Sequence, residues 1–183
     1  DIYAGHQDRK KLRLWQDDTL VPVFSCTKAV SAIVIAHLAE HDKLSYNQKV
    51  ASLWPDFAQN GKADITIGDV LSHQAGLSGI TDDSFTPMDW LDWDKTCAVL
   101  AAQAPIWEPR SAAGYHPTTY GYLAGEIARR ADGRTLGTIL AQDICVPHGL
   151  DFHIGLPDDQ HARCADLIKP KRLPDLGEIN PAT

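Results

Sequence analysis

Phe24-Ser25-Cys26-Thr27-Lys28 opens the most apolar stretch of the chain, Ala29-Val30-Ser31-Ala32-Ile33-Val34-Ile35-Ala36-His37-Leu38-Ala39. A helix that is apolar on nearly all sides lies inside a protein rather than on its surface. The stretch therefore predicts a buried helix, running to about His41, around which other helices pack. Ser25 stands at its N-terminal edge, where unpaired N–H groups and the helix dipole favour negative charge. Lys28 follows one turn later on the same face. A cation in the first turn opposes the dipole, and burial beside Val30 and Ile33 disfavours its charge. Both effects would lower the lysine pKa and make it a proton acceptor for a neighbouring hydroxyl. The plainer alternative is that Ser25 caps the helix while Lys28 reaches out to water.

Outward from that helix, composition narrows the function. The 183 residues make one domain of ordinary size or part of a larger one, and the 44% apolar content supplies a core. The net charge of −7, from 24 acidic against 17 basic residues, argues against a nucleic-acid partner. No apolar run reaches the ~18 residues of a membrane span. Asp1-Ile2-Tyr3 has the form of a processed or truncated end. Cys26, Cys97, Cys145 and Cys164 are widely spaced, so free thiols in a reducing compartment are the simpler reading, although disulfides and a periplasmic location stay open. Cys26 adjoins Ser25, but its side chain points about 100° away around the helix.

Along the chain, Ile2-Tyr3-Ala4-Gly5 reads as a short strand, and Thr19-Leu20-Val21-Pro22-Val23 is extended. Residues 1–24 are thus expected to be sheet strands leading to Ser25. Thr66-Ile67-Gly68-Asp69 has the form of a capping box opening a helix from Ile67 to Ser72. A turn-rich loop, His73 to Gly79, follows. Asp82 to Asp94 looks like an exposed insertion, with Trp90 and Trp93 either packed on the surface or forming an apolar lip for a substrate. Further helices are expected over Thr96–Ala104, Thr118–Ala131 and Thr135–Cys145, with Gly121 and Gly125 allowing a close helix contact. Residues 25–150 therefore read as a helical region and 151–183 as an irregular tail punctuated by Pro157, Pro170, Pro174 and Pro181.

Three pieces in this order, Ser25-Cys26-Thr27-Lys28, Leu71-Ser72-His73-Gln74-Ala75-Gly76-Leu77 and Tyr115-His116-Pro117, resemble the serine β-lactamase-related family. Trp54-Pro55-Asp56-Phe57, Gly61-Lys62, Pro105-Ile106-Trp107-Glu108-Pro109 and Tyr120-Gly121-Tyr122-Leu123-Ala124-Gly125-Glu126 agree with this. The likeness covers about residues 1 to 165. It points to the carboxylesterase-type branch (family VIII), which overlaps with class C β-lactamases and penicillin-binding-protein-like D-alanyl-D-alanine carboxypeptidases. The resemblance implies an α+β fold of the β-lactamase/transpeptidase kind and acyl transfer. Ser25 would form an acyl-enzyme, Lys28 would hold or take its proton, and Tyr115, its pKa lowered by Lys28, would relay a proton to the leaving group. The Ser25 N–H would supply half of an oxyanion hole. The resemblance implies no metal and no organic cofactor, and a small ester or β-lactam-like molecule as substrate.

The sequence departs from that pattern in three places. Pro117 stands where the lactamase-like pattern has an Asn that holds a substrate amide, which leans the reading towards esters. Pro109-Arg110 replaces the usual Pro-Gly, so that turn is expected to differ. The Lys-Thr-Gly or His-x-Gly motif of the C-terminal strands is not found in the last 40 residues. The chain therefore reads as the front portion of such a protein, with the sheet incomplete. Association with the missing C-terminal segment, or with another chain, is expected.

Two rivals remain. His37-Leu38-Ala39-Glu40-His41 matches the His-x-x-Glu-His pattern of inverted zinc proteases, although two histidines in a last helical turn also suit the dipole. The chain could also be a non-catalytic binding remnant. His73 is read as a loop residue rather than a catalytic one.

Overall fold

The protein is described by a computed structural model that places residues 2–169. The last residues of the expected tail, with Pro170, Pro174 and Pro181, lie outside the described residues. The chain divides into two compact units, Phe24–Gly155 and a second made of Asp1–Val23 with Leu156–Thr183.

In the first unit, helix α1 (Cys26–Glu40) starts immediately after Ser25. It is buried on one side only. Ser31, Val34, Ile35 and Leu38, three and four residues apart, face inward, while Cys26, Ala29, Ile33 and Ala36 form an exposed stripe, with Ile33 55% accessible. This corrects the expectation of a helix enclosed on nearly all sides. An all-round apolar sequence does not say which of its faces has a partner within the chain.

The chain continues through α2 (Val50–Leu53), a 3-10 turn at Pro55–Ala58, and α3 (Ile67–Leu71). The capping box at Thr66 is present. The Asp69 N–H donates to Thr66 Oγ1 at 3.2 Å, and the Thr66 N–H donates to Asp69 Oδ2 at 2.8 Å. A 3-10 turn at Asp89–Leu91 precedes α4 (Trp93–Ala102). That helix begins earlier than Thr96 because Asp92 Oδ1 caps it, accepting the Lys95 N–H at 3.0 Å. Helix α5 (Thr119–Asp132) and α6 (Leu136–Ile139) follow. A wide π turn, Leu140–Cys145, carries the last helix into α7 (Val146–His148), past the expected end at Cys145.

The hub of these helices is α5 rather than α1. It touches α1, α2, α3, α4 and α6. It buries Tyr120, Leu123, Ala124, Ile127 and Ala128, and its small residues let neighbours approach. At Gly125 a Cβ would lie 2.6 Å from the Trp93 ring, so the absence of a side chain there makes room for that ring between α4 and α5. Gly121 has open space beside it and plays no such part. Around α5 the core joins Val34, Ile35, Trp54, Phe57, Ile67, Val70, Leu100 and Ile139, all essentially inaccessible.

Two buried charges are satisfied within this unit. Lys62 donates to the carbonyls of Gln59 at 2.9 Å and of Gln103, and burial pushes its pKa down to about 8. Glu126 accepts from Trp93 Nε1 and from the guanidinium groups of Arg129 and Arg130.

In the second unit, His6 pairs with Leu14 and Leu20 with Cys164, each as an isolated bridge. Asp8 accepts the N–H groups of Leu12 and Arg13, and Arg13 pairs with Asp166 at 2.9 Å. The sheet strands expected over residues 1–24 are therefore corrected to single bridges. Among the described residues there is no strand, because no segment finds a neighbour to ladder against for more than one residue. The tail, too, is less irregular than expected, with a 3-10 helix over Asp158–Arg163.

Candidate active site

The site is built at the N-terminus of α1. Phe24 takes φ +46°, a left-handed conformation uncommon for a bulky residue. Ser25 occupies the N-cap position of α1 in αR conformation, but its side chain makes no cap hydrogen bond. Its Oγ faces Lys28 instead: Lys28 Nζ lies 3.3 Å from Ser25 Oγ. The same Nζ donates to the Pro117 carbonyl at 2.8 Å and stands 4.8 Å from the Tyr115 ring centre. Lys28 thus points at polar and aromatic groups of the segment leading into α5, rather than reaching away to water.

Tyr115 reaches the site from that segment. Its Oη donates to Ser25 Oγ at 2.6 Å. Hydrogen bonding to Ser25 and to Lys28, together with the lysine charge, holds the phenol below its ordinary pKa, against a smaller opposing effect of burial. The three residues singled out in the sequence, Ser25, Lys28 and Tyr115, are therefore brought into one contact set. Ser25 is exposed and Tyr115 is 53% accessible, so the site is open to solvent.

A loop behind Tyr115 sets its backbone. Gly76, at φ +71°, lies against Trp107 and Pro105; a Cβ there would be 2.6 Å from the Trp107 carbonyl oxygen. Arg110 adopts φ +70°, the left-handed region that glycine favours. Its guanidinium is held by Asp69 Oδ2 at 2.8 Å and by the Asp64 carbonyl.

Other candidates fall away from this centre. Trp93 packs on Gly125 and donates to Glu126 at 3.0 Å, and Trp90 packs against Phe85 and Tyr122. Both tryptophans are thus packed against the helical unit. His41 Nδ1 is engaged with the His37 carbonyl at 2.8 Å, and His37 Nε2 faces Asp143 at 3.4 Å. No three His, Cys, Asp or Glu side chains are grouped to hold a metal among the described residues. The four cysteines are free; burial pushes the Cys97 thiol up to about 12. No helix among the described residues is long and apolar enough to cross a membrane.

Sequence reasoning missed two parts of the site. The Pro117 carbonyl, which holds Lys28, is a backbone group and leaves no mark in a side-chain pattern. His116 is fully buried behind Tyr115; its position inside the Tyr115-His116-Pro117 motif was the one available signal.

A serine, a lysine one helical turn on and a tyrosine from a distant loop, set on this helical framework, define the class of the serine β-lactamases and penicillin-binding proteins. The chain belongs to the Beta-lactamase family, whose model matches residues 1–182. Esterase/beta-lactamase LipL of Mycobacterium tuberculosis is 36% identical over 175 residues, covering 94% of this chain and 40% of that protein. A penicillin-binding protein homologue from Caulobacter crescentus superposes with a TM-score of 0.90 at 57% identity, covering 97% of this chain and 48% of that one. A family VIII carboxylesterase does so with a TM-score of 0.85 at 42% identity, over 90% and 46%. The chain spans less than half the length of these relatives. Its helix-rich described part is accordingly one portion of their fold.

Proposed function

We propose that the polypeptide carrying this chain hydrolyses small, apolar carboxylic esters through an acyl-enzyme on Ser25. The observation that carries the reading is the convergence of Lys28 Nζ and Tyr115 Oη on one hydroxyl oxygen, at 3.3 and 2.6 Å. Lys28 takes the Ser25 proton as Oγ attacks the ester carbonyl. The Ser25 N–H, at a helix start where N–H groups lack intrahelical acceptors, faces the developing oxyanion. Tyr115 passes a proton to the departing alkoxide, and the alcohol leaves. In the second half Tyr115 takes a proton from water, the hydroxide attacks the acyl carbon, and Ser25 recovers its proton from Lys28.

Two features favour esters over amides. Pro117 has no side-chain donor with which to hold a substrate amide, and its carbonyl is occupied by Lys28. The relatives whose names include esterase or carboxylesterase point the same way. A short-chain p-nitrophenyl ester should be cleaved, and Ser25→Ala should abolish turnover while leaving the fold intact. Cleavage of a β-lactam in preference to the ester would move the reading to the lactamase side of the family, and unchanged ester turnover in Ser25→Ala would end it.

A further inference from the structure

The backbone N–H groups of the two residues that flank Tyr115, Gly114 and His116, both end on one residue. The Gly114 N–H donates to the His73 carbonyl at 3.0 Å, and the His116 N–H donates to His73 Nδ1 at 3.1 Å. The His73 ring also packs against the Tyr115 ring, with centroids 5.0 Å apart, and against Tyr120 at 5.1 Å. His73 holds this place at φ +62°, a costly conformation that persists only where the surroundings determine it. The surroundings do so through His116. Leu77 N–H donates to His116 Nε2 at 3.0 Å, His116 Nδ1 faces the Gly114 carbonyl at 2.6 Å, and Thr119 Oγ1 donates to the Leu77 carbonyl at 2.6 Å.

These contacts fix where the protons are. A carbonyl only accepts, so His116 carries its proton on Nδ1 and keeps Nε2 bare for Leu77. His73 receives an N–H at Nδ1, so its own proton is on Nε2. We propose that His73 and His116 are positioning residues for Tyr115, working as a pair of neutral imidazoles of opposite tautomer that together hold the Tyr115 hydroxyl on Ser25. The inference rests on the reading of Ser25 and Tyr115 given above. Protonating either ring would set one N–H against another.

The groups facing the pair agree. His73 meets Lys28 from α1, Tyr120 from α5, and Tyr115 and His116 from the segment before α5; His116 meets His73 and Trp107. The ordinarily charged member of that set is a cation, Lys28. Burial, then Lys28, lowers the His73 pKa. Burial, then His73, lowers that of His116, against the raising effect of the Gly114 carbonyl.

The test uses the full-length polypeptide carrying 15N-histidine and tyrosine labelled with 13C at Cζ. Long-range 1H–15N spectra should show His73 protonated at Nε2 and His116 at Nδ1; the reverse assignment for either overturns the pairing. His73→Phe keeps a ring but removes the acceptor. Phosphonylation by a fluorophosphonate should slow by ~10²-fold, the order expected for a misplaced catalytic group, in a variant that is less stable but still folded at the assay temperature. The Tyr115 titration should move back up towards an ordinary phenol. His73→Asn places an amide oxygen near the Nδ1 position and tolerates positive φ, so it should restore the rate to within ~10-fold of wild type. Wild-type rate and an unmoved Tyr115 titration in His73→Phe would overturn the proposal. So would an Asn variant that is folded and as slow as the Phe variant. Undiminished labelling of Ser25→Ala would refute the nucleophile instead, and the tautomers would still report on the pair by themselves.

Discussion

Tyr115 Oη donates to Ser25 Oγ at 2.6 Å across 90 residues of chain. The contact is made possible by α5, whose start carries the Tyr115 segment and whose buried face packs on α1, where Ser25 stands. Removing only the hydroxyl tests what the contact does. Tyr115→Phe should fold normally, since the ring is half exposed, and should lose ~10²–10⁴-fold in ester turnover, the range of a general acid–base contribution. Steady-state kinetics with a p-nitrophenyl ester read this directly, and a loss below ~3-fold would leave Tyr115 without a proton-transfer role.

Lys28 is held by the Pro117 carbonyl at 2.8 Å as well as facing Ser25. Lys28→Met keeps much of the aliphatic stem and removes the amine. Acylation followed by stopped flow should fall by at least ~10²-fold with the circular dichroism spectrum unchanged. A similar acylation rate would mean that another group activates Ser25.

Helix α1 leaves Cys26, Ala29, Ile33 and Ala36 exposed in one stripe. Each Å² of apolar surface left in water forgoes about 25 cal/mol of stabilisation. Residues 1–183 alone should therefore associate or aggregate in light scattering and hydrolyse esters poorly. Supplying the portion of the fold that the longer relatives have and this chain does not should restore turnover. A stable monomer of these residues with full esterase activity would contradict this.

Glu126 is 1% accessible and accepts from Trp93, Arg129 and Arg130. Burial alone would raise its pKa, but the hydrogen bonds and positive charge outweigh it and the net shift is downward. A carboxylate whose folded pKa is depressed contributes stability that is present above its unfolded value near 4.5 and lost as pH falls through the lower folded value. Glu126→Gln should cost about 2–3 kcal/mol in urea unfolding at pH 7, less than a fully buried pair because both arginines reach solvent. That difference should shrink on acidification below about pH 4. A difference constant with pH would show that the carboxylate charge is not what stabilises.

The legible parts of this molecule were local ones. Ser25 and Lys28 lie one helical turn apart, so their meeting follows from helix geometry, and the Thr66–Asp69 capping box follows from four consecutive residues. Tyr115 was reachable only through resemblance, because a 90-residue closure leaves no periodic trace. The one-sided burial of α1 was hidden by its uniform apolarity, and the role of α5 as hub by its small and polar residues. At Arg110 the residue type pointed away from the φ +70° it adopts, which its bonds to Asp69 and Asp64 support. The expected strands of residues 1–24 depend on partners in sequence far away, and a strand without a ladder is reduced to bridges.

The central claim is that Ser25 carries the acyl group. Intact mass after exposure to a fluorophosphonate, followed by peptide mapping, tests it most directly. The account predicts a single stoichiometric adduct on the peptide containing Ser25, absent from Ser25→Ala. An adduct on any other residue, or one that persists in Ser25→Ala, would contradict it.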